Sequence, residues 1–209
     1  MTKHRLAVGL AAALATTASI ATAPTAHAAP ERPKTTSLAQ VLAADGHRFD
    51  AKWGDFDILD KAVMTVLGEK PDSPVGVLAK GRTKLTAFLP TDRAFRSLVT
   101  ALTGSQPKSE RATFRTLANA TGVDTIETVL LYHVVPGATL GSAKVLKADG
   151  AKLTTAQGGT VKVHVKKKMV RLQDKDRDLR DPRVIAVDIN KGNPQIAHAI
   201  DRVLLPVDL

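Results

Sequence analysis

A threonine and an aspartate, Thr91 and Asp92, follow an apolar run in the segment LTAFLPTDRAF (85–95). The run predicts a buried strand that Pro90 ends, because proline cannot donate to a sheet ladder. At this position the pair could be catalytic, but either residue also suits the N-cap of the following helix. No nucleophile elbow, phosphate-binding loop or Ser-His-Asp order accompanies the pair. We therefore interpret it as a structural cap and place Phe95 in the core.

Two histidines are the next candidates. His133 follows Tyr132 on the apolar side of a predicted helix, and His198 falls in phase with Ile196 and Ile200 on a predicted strand. Both imidazoles are expected to point inward with hydrogen-bonded ring nitrogens, since buried polar groups need partners. They could form a buried pair or half of a metal site. Without cysteine or a His-x-x-x-His spacing, we predict no metal and no cofactor.

An acidic segment, DKDRDLRDP (174–182), raises the question of calcium. An EF-hand loop that starts at Asp174 needs glycine at its sixth position and glutamate at its twelfth. This sequence has Leu179 and Ile185 there, and lysine and arginine alternate with the aspartates. We therefore favour a solvated, salt-bridged loop, with a calcium site as the alternative.

The densest basic cluster lies on a segment whose valines alternate with polar residues, which is typical of a half-buried strand. One interpretation is a strand turn that lysines keep soluble and protect from edge pairing. The other is a contact site for acidic glycans, teichoic-type polymers or anionic lipid headgroups. The cluster consists of Lys162, Lys166, Lys167, Lys168 and Arg171.

The beginning of the chain predicts export. Lys3 and Arg5 precede an alanine-rich apolar stretch, and Ala-His-Ala at 26–28 is a cleavage signature, so we predict a signal peptide over 1–28 that is cleaved near Ala28. A flexible leader is expected over 29–36. No later segment has a transmembrane pattern, so we expect a secreted, extracellular protein that can be peripheral to a cell surface.

The composition limits the classes of function. The chain has 209 residues and no cysteine, which excludes disulfides, a zinc-thiolate site and a cysteine nucleophile. Export without disulfides favours a bacterial source. The formal net charge is +10, or +8 without Lys3 and Arg5, and it favours anionic polymers or membrane surfaces as partners. Aromatic residues make up 3% of the chain, which argues against base stacking and so against nucleic acid.

Hydrophobic periodicity predicts helices in the first two thirds of the chain and strands mainly in the last third, and this order favours an α+β fold. One domain is expected over 37–209. The predicted helices begin at Ser37 and at Asp55, with the second ended by Gly68, and continue over 111–118 and from Asp124 or Thr125 to His133; the later strands are predicted near 161–166, 170–172, 183–189 and 196–205.

Three stretches, in this order, resemble the signature boxes of fasciclin (FAS1) domains. LTAFLPTDRAF (85–95) resembles the first box, T-x-F-x-P-T-D-x-A-F, and LLYHVVPG (130–137) is similar to the central Tyr-His motif. NPQIAHAIDRVLLP (193–206) resembles the closing box, with Ala197 before His198. Three boxes in order are much more specific than one.

The resemblance implies an α+β wedge in which helices flank a β-sandwich-like core. It also implies extracellular adhesion or matrix interaction without enzymatic activity, with the motif residues in structural roles. The front portion, 37–84, is longer than the start of a minimal domain and is expected to be an extended helical part. The motif residues are Pro90, Thr91, Asp92, Phe95, Tyr132, His133, Pro136, His198 and Asp201.

Three hypotheses of function follow. The first is a secreted, non-enzymatic adhesion or interaction protein that binds an extracellular protein or an anionic glycan or cell-wall polymer. The second is a carrier of a small apolar ligand, since some fasciclin-type proteins carry pigments. The third is a hydrolase of unfamiliar arrangement, which no motif in the sequence supports.

Overall fold

The computed structural model of this chain describes residues 35–207, and its mixture of helices and sheets confirms the α+β prediction. The predicted signal peptide over 1–28 and most of the predicted leader over 29–36 lie outside the described residues. The helices are α1 (Leu38–Leu42), α2 (Asp57–Glu69), α3 (Asp92–Thr103), α4 (Glu110–Tyr132) and α5 (Ser142–Val145), with 3-10 turns at Ala43–Asp45 and Pro74–Ala79. The strands are β1 (Leu85–Pro90), β2 (Val134–Pro136), β3 (Lys152–Thr154), β4 (Thr160–Lys166), β5 (Met169–Gln173), β6 (Val184–Ile189) and β7 (Gln195–Ile200).

The first sheet has four strands in the order β2-β1-β7-β6. Strand β1 is parallel to β7 and antiparallel to β2, so Ala87 lies opposite both Ala197 and Val134. The three sequence motifs therefore supply three adjacent strands of one sheet.

Strand β1 is buried on both faces. Leu85, Ala87 and Leu89 pack in the core cluster beneath the helices, whereas Phe88 packs in a second cluster on the other side. A continuous apolar run suits this position. Because neither face of the strand is exposed to solvent, its residues do not alternate between apolar and polar.

The second sheet has the order β3-β4-β5 and covers that other side. Val161, Val163 and Leu172 share a core cluster with Phe88 and Ile200 of the first sheet. These side chains form the β-sandwich-like part of the core.

Helix α4 consists of two helical segments that meet at Gly122, which confirms the sequence prediction of two helices in this part of the chain. It runs from Glu110 to Tyr132 with a break at Gly122, whose φ of 71° lies in the left-handed region. Glycine adopts this conformation without a Cβ clash, so helical structure resumes directly after it. The second segment begins directly after Gly122, so Asp124 and Thr125, the predicted caps, lie in its first turn. Among the described helices, none combines the length and the apolar character that a membrane span needs.

The strand predicted over 196–205 is too long, because β7 ends at Ile200. The buried residues that follow satisfy their backbone groups with side chains rather than with a strand partner. The N–H of Leu204 donates to Nε2 of His133 at 2.9 Å, and the N–H of Leu205 donates to an aspartate of the 174–182 loop at 2.8 Å.

Candidate functional site

Thr91 and Asp92 form the corner between β1 and α3. Thr91 is the N-cap residue of α3, but its side chain makes no capping hydrogen bond. The buried carboxyl group of Asp92 accepts hydrogen bonds from the backbone N–H groups of Ile58 at 2.9 Å and Asp57 at 3.2 Å. Asp92 thus caps α2, and the prediction that Thr91 or Asp92 caps its own helix through its side chain is wrong. The reason is that the start of α2 packs against this corner and presents two unpaired N–H groups to it.

The predicted cap of α2 by Asp55 is also wrong. The N-cap residue is Phe56, without a side-chain cap, because Asp92 supplies the acceptors from another element. Burial raises the pKa of Asp92 to about 8. The hydrogen bond from the N–H of Ile58 lowers this pKa, whereas a hydrogen-bond contact with Asp55 and the charges of Asp55 and Glu110 raise it further. Asp92 is therefore a buried brace between elements.

His133 caps the C-terminal end of α4 and is 4% exposed. Its Nδ1 lies 2.7 Å from the carbonyl oxygen of Val129, so Nδ1 carries the proton, and Nε2 accepts the N–H of Leu204 at 2.9 Å. Burial lowers the pKa of His133 to about 4. A neutral imidazole thus ties α4 to the segment after β7.

Acidification is expected to destabilise the fold through His133. Because its folded-state pKa is about 4 and its ordinary value is 6.5, the unfolded chain binds the proton first. This contribution is intact above about pH 6.5, and about 3 kcal/mol is lost as the pH falls to 4.

Urea unfolding of the wild type and His133→Gln between about pH 7.5 and 4.5 measures this contribution. The difference in the free energy of unfolding should narrow as the pH falls, because only the wild type loses the histidine contribution. Burial raises the pKa of Asp92 to about 8 and that of Asp174 to about 6, which acts in the opposite direction, but both proteins share these groups. A constant difference contradicts the prediction.

Tyr132 ties the same end of α4 to the second sheet. Its hydroxyl donates to the carbonyl oxygen of Thr160 at 2.9 Å, and burial raises its pKa to about 12. A Cβ at Gly159 would lie 2.9 Å from the Tyr132 ring, so this close approach requires glycine.

His198 is fully buried on β7. Its Nε2 donates to the carbonyl oxygen of Leu140 at 2.7 Å, and burial lowers its pKa. His198 and His133 have separate hydrogen-bond partners, so the structure does not join them as a polar pair.

The last two motif residues are at strand ends. Asp201 accepts hydrogen bonds from the backbone N–H of Arg183 at 2.7 Å and from its Nε at 2.9 Å. Pro136 ends β2 opposite Leu85 and is exposed.

The aspartates of the 174–182 loop are not all solvated as predicted. Asp176 is 5% exposed and accepts the N–H of Leu179 at 2.6 Å. Asp174 accepts the backbone N–H groups of Leu205 and Asp176. These carboxylates satisfy backbone donors in a stretch without regular structure.

The predicted basic cluster occupies the outer face of the second sheet. Lys162 and Lys166 lie on the central strand β4, and Arg171 lies on β5, while Lys167 and Lys168 form the exposed turn with left-handed φ values of 51° and 64°. Lys152 on β3 lies directly opposite Lys162, and Arg171 lies opposite His164. Strands β3, β4 and β5 contain no aspartate or glutamate.

An apolar cavity of about 320 Å³ lies among α2, α3, α4 and the segment after β7. Ile58, Phe95, Leu117 and Val203 contribute to its lining, and His133 is one of its few polar residues. The amphipathic helices are visible in the sequence, but the space that remains between them is not.

A cluster of carboxylates is the feature that sequence patterns miss. Asp50, Asp55, Asp57 and Glu110 each place one carboxylate oxygen within 4.8 Å of the others. The three aspartates stand close together in RFDAKWGDFDILD without the spacing of a known metal motif, and nothing local connects them with Glu110.

Comparisons with known proteins support the fold. A family model described as Fasciclin domain matches residues 72–206, which is more than half of the chain. The structure is similar to that of a FAS1 domain pair from the insect cell adhesion molecule Fasciclin I, with a TM-score of 0.55 and 15% sequence identity. The match covers 81% of this chain and 51% of that one, so this chain spans about half of its length. At this identity the likeness shows the fold alone. No curated protein matches the chain.

Proposed function

Because this chain belongs to the fasciclin family, whose domains typically serve adhesion and interaction, we propose that it is a secreted, non-enzymatic protein that binds an anionic cell-surface polymer. The binding surface in this proposal is the cationic face, defined as Lys152, Lys162, Lys166, Lys167, Lys168 and Arg171. An extracellular protein with an acidic surface is the other partner that this charge suits.

The position of the lysines on the central strand carries the proposal. Lys162 projects from the face of β4 between Lys152 of β3 and Gln173 of β5, so protection of a sheet edge does not account for it, and Lys166 lies further along the same face of β4. Like charges directly opposite one another, such as Lys152 and Lys162, destabilise a sheet. Among residues 35–207, no carboxylate forms an ion pair with a member of the cationic face. An anionic partner would offset this repulsion.

The environment of the other motif residues supports a role without catalysis. Asp92 is occupied by the start of α2, and His133 and His198 bond to backbone groups. A hydrolase needs a base that is free to take a proton from a nucleophile, whereas these three side chains are hydrogen-bonded to backbone groups of the fold.

Binding to a glycerol-phosphate polymer across a range of ionic strength tests the proposal. A triple glutamine variant of the cationic face should bind about tenfold more weakly or worse at low salt, since each cation near an anionic surface contributes up to about 1 kcal/mol. Its salt dependence should also be shallower. The substitutions are Lys162→Gln, Lys166→Gln and Arg171→Gln.

A matched control removes the same net charge from exposed positions elsewhere and should bind nearly as well as the wild type. Equal loss in both variants, or binding that salt does not weaken, contradicts the proposal. An acidic protein bound in preference to the polymer points to the other partner class. The control substitutions are Lys61→Gln, Lys84→Gln and Lys108→Gln.

The apolar cavity favours a second candidate function, the carriage of a small apolar ligand. Its volume of about 320 Å³ is in the range of small-molecule sites, and its mainly apolar lining favours apolar ligands over charged ones. Native mass spectrometry of the protein purified from its own source tests this function. A reproducible added mass supports it, and a consistently ligand-free mass argues against it.

A further inference from the structure

Four carboxylates converge where the loop before α2 meets the start of α4. Asp50 and Asp55 belong to the loop, Asp57 is the first residue of α2, and Glu110 is the first residue of α4. One oxygen from each lies within 4.8 Å of the others. We refer to these four residues as the carboxylate cluster.

Two oxygens in the cluster are buried without a partner. Glu110 is 1% exposed, and its Oε1 has no hydrogen-bond partner among the described residues, although Oε2 accepts the N–H of Ala51 at 3.0 Å. The Oδ1 atom of Asp55 is likewise buried and unpartnered within residues 35–207. Buried carboxylate oxygens nearly always have partners, because they have given up their hydration. The carboxyl group of Asp92 also makes a hydrogen-bond contact with Asp55, so the oxygen that calls for a ligand is Oε1 of Glu110.

The cations of this region do not neutralise those two residues. Lys52 forms an ion pair with Asp50 at the exposed edge of the cluster. Neither Asp55 nor Glu110 forms an ion pair with any residue in the described part of the chain. Two nearby guanidinium groups lie over aromatic rings, Arg96 over Trp53 at 4.1 Å and Arg111 over Phe49 at 5.3 Å.

We propose that the carboxylate cluster binds a divalent cation, with Ca²⁺ as the preferred ion. All four ligand groups are carboxylates, which suit hard cations, and the cluster contains no imidazole or thiolate that would favour zinc or copper. The four oxygens lie within 4.8 Å of one another, close enough to share one Ca²⁺ at Ca–O distances of about 2.3–2.6 Å. Mg²⁺ demands a near-ideal octahedron and gives up its waters reluctantly, so a set of carboxylates from a loop and two helix starts suits Ca²⁺ better.

The cation would fix the loop between α1 and α2 to the start of α4. This loop includes Ala51 with a left-handed φ of 73°, a conformation that residues other than glycine rarely adopt. The N–H of Ala51 donates to Oε2 of Glu110. Trp53, the one tryptophan of the sequence, stands between Asp50 and Asp55 in the chain, so its fluorescence can report on binding at the cluster.

Calcium titration of the chelator-treated protein, followed by Trp53 fluorescence and by the melting temperature, tests the proposal. We expect saturable fluorescence and a higher Tm at free Ca²⁺ of roughly 10⁻⁴–10⁻³ M, the range of extracellular calcium modules, with a weaker response to Mg²⁺. No change with Ca²⁺ in fluorescence, Tm or radiolabelled calcium bound at equilibrium overturns it.

Glu110→Gln and Asp55→Asn locate the site, because each removes charge and keeps shape. We expect affinity to fall about tenfold or more in each variant, while the calcium-free protein remains folded because repulsion in the cluster is relieved. Asp178→Asn, in the acidic 174–182 loop, is the matched control and should keep the wild-type response. An unchanged response in Glu110→Gln, or a lost response in Asp178→Asn, contradicts the assignment.

Discussion

Asp92→Ala is expected to lower the free energy of unfolding by about 2–4 kcal/mol. The substitution leaves the N–H groups of Asp57 and Ile58 without their acceptors in a buried position, and an unpaired buried donor costs about 1–3 kcal/mol. The loss of the buried carboxyl group recovers part of this cost, because the group itself is unfavourably desolvated. The start of α2 should fray as a result.

Two neighbouring variants make this prediction specific. Asp92→Asn keeps one acceptor oxygen for Ile58, so we expect roughly half of the loss. Thr91→Val should cost about 1 kcal/mol or less, because the Thr91 side chain makes no capping bond although it stands at an N-cap. Urea unfolding followed by circular dichroism measures all three. A larger loss for Thr91→Val than for Asp92→Ala would restore the local-cap interpretation.

Phe95→Ala is expected to cost about 3–5 kcal/mol, as for other buried aromatic residues that are truncated to alanine. Phe95 is 7% exposed and packs in the core cluster between the helices and the first sheet. It also borders the apolar cavity, so the truncation enlarges a space that the surrounding helices already leave unfilled. The remaining side chains therefore have little means of closing it.

Leu102→Ala on the same helix is the control, because Leu102 is 49% exposed and its truncation should cost less than about 1 kcal/mol. Thermal and urea unfolding of both variants give the comparison. A near-neutral Phe95→Ala shows that the ring does not hold α3 to the core.

The two stability predictions concern a corner that local pattern identifies only in part. The proline, the helix start and the burial of Phe95 follow from residues that are neighbours in the chain. The hydrogen-bond partners of Asp92 do not follow from neighbouring residues. Its carboxyl oxygens accept N–H groups of α2, a helix that ends more than twenty residues earlier in the chain. N-cap preferences are local averages, and here a tertiary contact overrides them.

The same distinction applies to the longer elements. The alternation of Val161, Val163 and Val165 predicts β4 and its two faces correctly, since period-two alternation follows from strand geometry. The predicted end of the last strand at Leu205 is wrong, because the hydrophobicity of 203–205 serves burial under the helices rather than sheet pairing.

The sequence alone determined the α+β class, the strand–proline–helix corner, the three motifs and the excess of positive charge, because these are properties of composition and short-range periodicity. Only the tertiary structure decided that the three motifs become adjacent strands, that Lys162 and Lys166 stand on a central strand, that a cavity remains between the helices, and that Glu110 meets the aspartates of the loop. Each of these depends on which distant segments pack together and in what register. Such pairings arise from the whole chain at once, so no local window of residues contains them.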